Sequence, residues 1–179
     1  MVYIPSGTEL LNPFEILKKA GISEGMKIAD LGCGTQGHFV FPASHLVGDK
    51  GTVYAIDILK SALSGVESRA KMEAVSNVQT IWSDIEVLGG TKIGNDEVDI
   101  AFLHNVGARI DMMKEAARLV KPGGKVLIVD WEKTSSPFGP PTKNRPDPEL
   151  IKKDAEEIKL KFLEEFKAGP YHFGIIFVK

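Results

Sequence analysis

A single cysteine among 179 residues excludes an internal disulfide framework. No apolar run approaches the roughly 20 residues of a bilayer span. No charged-then-apolar signal segment opens the chain either, so a cytoplasmic location without a membrane partner is expected. An excess of one charge is also missing. The 22 basic and 24 acidic residues leave a net charge of −2, which provides no global basic field for an extended nucleic-acid footprint. The four histidines, His38, His45, His104 and His172, lack metal-ligand spacing, so no metal is expected. There is no internal repeat. What remains is 43% hydrophobic residues in a chain of ordinary domain length. That is enough to bury a core, and one domain over residues 1–179 is expected, as a monomer or a homodimer.

The most informative stretch is Lys27-Ile28-Ala29-Asp30-Leu31-Gly32-Cys33-Gly34-Thr35-Gln36-Gly37. An apolar run ends in a carboxylate and then breaks into glycines, which reads as a strand feeding a loop that cradles a nucleotide-like ligand. The chain must turn tightly there, and a Cβ would hold the ligand away from the backbone. Gly32, Gly34 and Gly37 satisfy the G-x-G-x-x-G spacing, a pattern that recurs by chance when it stands alone. Asp30 narrows the choice. A negative charge at the carboxyl end of the strand is awkward beside a pyrophosphate, which disfavours NAD, and it suits a ligand carrying a cation. S-adenosylmethionine carries both a sulfonium and an ammonium. The other reading of Asp30 is a cap on the glycine loop.

Two further apolar runs close in a carboxylate. Thr52-Val53-Tyr54-Ala55-Ile56-Asp57 ends twenty positions after Gly37, where Asp57 either accepts from both ribose hydroxyls or serves as a turn residue. Val78-Gln79-Thr80-Ile81-Trp82-Ser83-Asp84 repeats the pattern. Asp84 is then placed to receive an adenine amino group while the Ile85 N–H meets a ring nitrogen. Asp57 alone suits NAD equally well, but Asp30, Asp57 and Asp84 together favour an adenosyl amino acid. Cys33 reads as small filler between glycines, with no base near it in sequence.

The remaining chain alternates helix and strand. Asn12-Pro13 starts a helix over Phe14 to Ala20, and Gly21 stops it. His38 to Val47 reads as a helix ended by Gly48, and Ile58 to Val75 as a longer one with apolar spacing at Leu59, Leu63, Val66 and Ala70. A Gly-rich connector from Gly89 to Asn95, strand four, a helix from Asp111 to Val120, and strand five after Pro122-Gly123-Gly124 follow. Such alternation implies a parallel sheet with helices on both faces. Beyond a Pro-rich segment from Ser136 to Pro148 come a helix from Glu149 to Ile158 and two strands, Lys161 to Phe166 and His172 to Val178, whose short Gly169-Pro170 connection makes them antiparallel. Phe162, Phe166, Phe173, Ile175 and Phe177 read as core. The expected fold is therefore α/β: a Rossmann-like, doubly wound, mostly parallel seven-stranded sheet with an antiparallel C-terminal hairpin.

Asp30-Leu31-Gly32-Cys33-Gly34, Ile56-Asp57-Ile58, Ser83-Asp84-Ile85, Val98 to Asn105 and Leu119 to Asp130 follow one another in the order and spacing of the class I S-adenosylmethionine-dependent methyltransferases. From about Phe14 to the C-terminus the chain resembles that family, and in flavour its small-molecule, quinone-biosynthesis type. One departure is that family members commonly carry the third glycine at the place of Gln36, whereas here it is Gly37. The resemblance implies S-adenosylmethionine as cofactor, held by Asp30, Gly32, Cys33, Gly34, Gly37, Asp57, Ile58, Ser83, Asp84, Ile85 and Asn105, and a small-molecule methyl acceptor. By the same analogy His104, closing strand four beside the methyl donor, is the first candidate for a general base, with a hydrogen-bonded structural role as its other reading. Asn105 would orient the substrate, and Tyr171 and His172 come after His104 as bases. The segment Met1 to Leu11, with Tyr3, Ile4 and Pro5, would fold over the site as a lid, and the Pro-rich segment would border the acceptor pocket. Two alternatives stay open. A nucleic-acid (rRNA or tRNA) methyltransferase normally shows a basic surface or an Asn-Pro-Pro-Tyr-type motif after strand four, and a non-catalytic S-adenosylmethionine-binding protein would keep the loop without turnover.

Overall fold

The computed structural model describes residues 10–179. Helix α1 (Pro13–Ala20) opens on Asn12, whose side chain accepts the Glu15 N–H, and closes where the Gly21 N–H meets the Lys18 carbonyl at 2.9 Å. Strand β1 (Lys27–Leu31) follows, then α2 (Val40–Val47), β2 (Thr52–Asp57), α3 (Lys60–Met72), β3 (Val78–Trp82) and β4 (Val98–His104). The chain continues with α4 (Ile110–Leu119), β5 (Val120–Trp131), a 3-10 turn (Thr142–Asn144), α5 (Pro148–Glu157), β6 (Lys161–Gly169) and β7 (His172–Val178).

The strands form one seven-stranded sheet in the order β3-β2-β1-β4-β5-β7-β6, parallel except that β7 runs antiparallel to both of its neighbours. A parallel sheet has to be covered on both faces, and the central strand β1 is accordingly buried from Ile28 to Leu31. Helices α1, α2 and α3 pack on one face around Leu17, Phe39, Val40 and Val66, and α4 and α5 on the other around Met113, Leu119 and Ile151. The strand order reverses between β1 and β4, and the crevice outside the carboxyl ends at such a switch point is where ligands bind open α/β sheets. Leu31 pairs with Leu103, which sets His104 beside the first residue of the glycine loop.

Several bounds differ from the sequence reading for local reasons. Helix α2 starts at Val40, because His38 and Phe39 still belong to the turn leaving the glycine loop. Helix α3 is shorter than Ile58 to Val75: Asp57 Oδ1 accepts the Leu59 N–H at 2.9 Å, holding that residue extended, and Ala74 turns left-handed at φ +53°. Leu59 is therefore 61% exposed rather than part of the buried stripe that Leu63 and Val66 form. At the C-terminus β7 lies inside the sheet and β6 at its edge. Phe173, Ile175 and Phe177 are core, whereas Phe162 is exposed and Phe166 half-buried. The Gly-rich connector after β3 is anchored from α4. Buried Glu115 accepts the Gly89 N–H at 2.7 Å and the Thr91 hydroxyl at 2.7 Å, and pairs with Arg118 at 2.7 Å. Among the described residues no helix is long and apolar enough to cross a membrane.

Candidate functional site

The Gly32 and Cys33 N–H groups both donate to the Ile56 carbonyl, at 2.8 and 3.0 Å, carrying the β1–β2 ladder past the end of the strand. Gly32 sits at φ +90°, and a Cβ there would lie 2.6 Å from Val106 Cγ1, so side chain and backbone both demand glycine. Gly37, at φ +55°, would drive a Cβ to 2.8 Å from the Phe41 ring, whereas Gln36 has no such backbone requirement. The carbonyl of Gln36 instead accepts from Arg69, whose guanidinium lies 4.0 Å from the centre of the Phe41 ring. This accounts for a loop whose third glycine falls one residue later than the family pattern.

Asp57 ties this loop to the next one: Oδ2 accepts the Gly34 N–H and Oδ1 the Leu59 N–H, each at 2.9 Å. A carboxylate has about four lone-pair sites, so two remain for a ligand. Cys33 is buried, and burial together with the Asp30 and Asp57 charges pushes its thiol well above the usual range, which makes it packing rather than nucleophile. Beyond β3, Ser83 is buried with its N–H on the Asp57 carbonyl at 3.1 Å. Asp84 is exposed and accepts the Glu86 N–H at 2.9 Å. Ile58 is half exposed and Ile85 buried, so the two apolar residues beside the acids sit at different depths.

Asp30 is wholly buried, and neither of its oxygens has a hydrogen-bond partner among the described residues. It does not cap the glycine loop, whose Gly32 and Cys33 N–H groups go to the Ile56 carbonyl, the Gly34 N–H to Asp57 and the Gly37 N–H to the Gly34 carbonyl. His104 Nδ1 stands 3.2 Å from Asp30 Oδ1, close enough for charge interaction but not aligned as a hydrogen bond, and Nδ1 is itself unpartnered. A carboxylate held this way costs several kcal/mol unless a cation reaches it. That need fits the ammonium of S-adenosylmethionine, and the open space beside Gly34, where a Cβ would meet nothing within 4 Å, leaves room for a ligand along the backbone.

A second acid closes β5. Asp130 accepts the Gly107 N–H at 2.9 Å and the Trp131 N–H at 2.8 Å. Burial pushes its carboxyl up, opposed by those two N–H groups and by the nearby His104. Its hold on Gly107 stabilises the turn in which Asn105 is forced to φ +54°. Opposite Trp131 in the β5–β7 register is His172, buried, its ring centre 4.0 Å from the indole. Burial, then the charges of Arg145 and His104, hold His172 down at about 4, so its imidazole is neutral at physiological pH. Arg145 is also buried, facing Trp131 at 5.2 Å, and all five of its N–H groups are used. They go to the carbonyls of Glu132, Thr134, Phe138 and Pro140 and to the Ser136 hydroxyl, at 2.8–2.9 Å.

His104, Trp131 and His172 meet in a cavity of about 360 Å³ at the switch point, lined also by Gly34, Gln36 and Asn105 and by the beginning of the described chain at Leu10 and Leu11; Asp30, Asp130 and Arg145 lie behind this lining. The expected lid over residues 1–11, with Tyr3, Ile4 and Pro5, otherwise lies outside the described residues. A wider groove of about 610 Å³ sits at the amino edge of β2 and β3, where Asn77 bonds the Ser44 and Gly48 carbonyls. Tyr171 packs toward Phe138 at 6.1 Å and does not line the switch-point cavity. Sequence reasoning singled out neither Arg145 nor Asp130. Asp130 carries the strand-end signal that flagged the other acids, while Arg145 carries none, because its partners are backbone carbonyls.

Residues 22–170 match the family model described as a methyltransferase domain. The ubiquinone/menaquinone biosynthesis C-methyltransferase of Shewanella sediminis is 39% identical over 119 residues, covering 65% of this chain and 47% of that protein. The demethylmenaquinone methyltransferase of Lactococcus lactis is 33% identical over 123 residues, covering 68% and 48%. The chain thus spans about half the length of these relatives. The crystal structure of a SAM-dependent methyltransferase from Aquifex aeolicus superposes with a TM-score of 0.88 at 26% identity, covering 97% of this chain and 93% of that one.

Proposed function

The chain belongs to the methyltransferase domain family with S-adenosylmethionine as its cofactor, and from that premise we propose that it transfers a methyl group to a small-molecule acceptor. The observation that carries this reading is Asp30, a buried carboxylate without a hydrogen bond beside His104 at the switch point. Asp30 would take the ammonium, Gly32, Cys33 and Gly34 would let the methionine part approach the backbone, and Gly37 would hold the loop. Asp57 would receive the ribose hydroxyls, Asp84 and the Ile85 N–H the adenine, with Ser83 beneath them, Ile58 against the ring and Asn105 at the methyl end. When bound, the cofactor supplies a methyl group on a sulfonium, electrophilic without further activation.

The protein's part is then alignment and exclusion of water. Where the acceptor atom carries a proton, His104 takes it. Its Nδ1 is buried against Asp30, which leaves Nε2 as the nitrogen toward the cavity. Asn105, fixed in its left-handed turn, would orient the acceptor. The relatives' names make a quinol ring the acceptor to test first. The net charge of −2 argues against a nucleic acid. The same reading takes residues 1–179 as one domain in the cytoplasm. Calorimetry with S-adenosylmethionine, S-adenosylhomocysteine and NAD tests the first half, and release of S-adenosylhomocysteine with a reduced, ring-demethylated naphthoquinol tests the second. Binding of the first two ligands and not NAD, together with turnover on the quinol, is expected. Tight NAD binding without response to the adenosyl ligands overturns the reading.

A further inference from the structure

The cavity has a second buried polar group with nothing to bind. His172 is 1% exposed, lines the cavity, and neither ring nitrogen has a partner among the described residues. An imidazole left so is destabilising, and such orphans in native proteins call for an explanation. Trp131 fixes the ring from one side through the β5–β7 pair. From the neighbouring loop comes Arg145, a buried positive charge enclosed by carbonyls and a hydroxyl with no carboxylate among its partners. The cavity wall at His172 therefore offers an open imidazole within the field of Arg145, while Asp30 lies behind His104 and outside the lining.

We infer that His172 selects the methyl acceptor, its imidazole hydrogen-bonding a hydroxyl or carbonyl oxygen of that molecule, while the Arg145 field excludes acceptors that arrive as ammonium cations. This rests on the reading of the site as a small-molecule methyltransferase. A neutral imidazole offers one donor and one acceptor, so it matches a hydroxyl in either direction and a carbonyl through its N–H. Its neutrality follows from the burial and the Arg145 charge already described. Removing the imidazole from the acceptor oxygen should cost about tenfold in affinity, the weight of one hydrogen bond to a buried group.

Ligand-observed and ¹⁵N-histidine NMR on protein saturated with S-adenosylhomocysteine tests it, using 2-naphthol and 2-naphthylmethylammonium as probes. Expected are binding of naphthol with a shift of the His172 ring nitrogens, and ammonium binding weaker by about tenfold or more. His172→Phe should lose about tenfold in naphthol affinity and His172→Gln only about threefold or less, with affinity for S-adenosylhomocysteine equal in all three proteins. The inference is overturned by unchanged naphthol binding in His172→Phe, by unmoved His172 resonances in the wild type, by the ammonium binding as well as the naphthol, or by saturated wild type binding no naphthol. Wild-type protein that fails to bind S-adenosylhomocysteine would instead overturn the underlying reading, and this inference with it.

Discussion

Replacing Asp30 by Asn should make the protein more stable and less able to bind its cofactor. The carboxylate is fully buried without a hydrogen bond among the described residues, with His104 Nδ1 3.2 Å from Oδ1. The amide has the same shape, carries no charge, and offers His104 either a donor or an acceptor. Relief of an unpaired buried charge, discounted for partial pairing with His104, is worth about 1–2 kcal/mol, and at about 2–4 °C per kcal/mol for a chain of this length the melting temperature rises by about 2–8 °C. Binding moves the other way. Loss of a charge-assisted hydrogen bond to the ligand ammonium removes about 1.5–3 kcal/mol, weakening S-adenosylhomocysteine by about 10–150-fold. Scanning fluorimetry of the ligand-free proteins and calorimetry with S-adenosylhomocysteine give the two numbers. An Asn variant that melts at or below wild type and binds within about threefold of it would falsify the assignment of Asp30 as the ammonium site.

Other perturbations separate scaffold from chemistry. Asp57→Ala removes acceptors for the Gly34 and Leu59 N–H groups as well as for the ribose, so it should lower stability by about 1–3 kcal/mol and weaken S-adenosylhomocysteine by about tenfold or more; an unchanged melt together with unchanged affinity refutes both roles. His104→Ala should reduce turnover by about 10²–10⁴-fold and remove a limb of the pH–rate profile while S-adenosylhomocysteine affinity changes little; turnover within a few-fold of wild type leaves alignment as the whole of catalysis. Burial opposes ionisation of Glu115, but hydrogen bonds from Arg118, Thr91 and the Gly89 N–H outweigh it and hold the carboxyl at about 2. Its folded value lies below the unfolded one, so the stability it contributes, about 2–3 kcal/mol, is present above about pH 4.3 and lost as pH falls toward 2. Glu115→Gln should melt earlier at pH 7 and flatten that acid limb; an identical pH–stability curve in the variant sinks the account.

The parts legible in the sequence are those where one residue type answers one local demand. Gly32 must be glycine for its φ and for Val106, Asn12-Pro13 and Gly21 bracket α1, and the short turn after Gly169 forces the last two strands to run antiparallel. Acids at strand ends were readable because an apolar run, buried on both faces of the parallel sheet, closes in a carboxylate where the strand reaches the carboxyl edge. What escaped depended on neighbours far along the chain. The position of β7 between β5 and β6 decides that Phe177 is core and Phe162 is not, though both carry the same side chain in adjacent strands. Asp57 stood out as a candidate ligand group, but its role as the staple of the glycine loop escaped, since its partner Gly34 is 23 residues away.

Arg145 gives the loop from Glu132 to Pro140 an unusual independence. Its guanidinium gathers carbonyls from alternate positions, and only the Ser136 hydroxyl belongs to a side chain. The path of the loop is thus written in the main chain and in one cation outside it, while most of the side chains along it are released from any duty to hold the shape. A loop built in this way can change most of its side chains without being rebuilt. Sequences exchanged at Lys133, Thr134, Ser135, Pro137 and Phe138 should leave the loop on its course, provided that Ser136 keeps its hydroxyl on Arg145 and position 139 stays glycine, since Gly139 sits at φ +81° with its Cβ position 2.7 Å from the Trp131 ring.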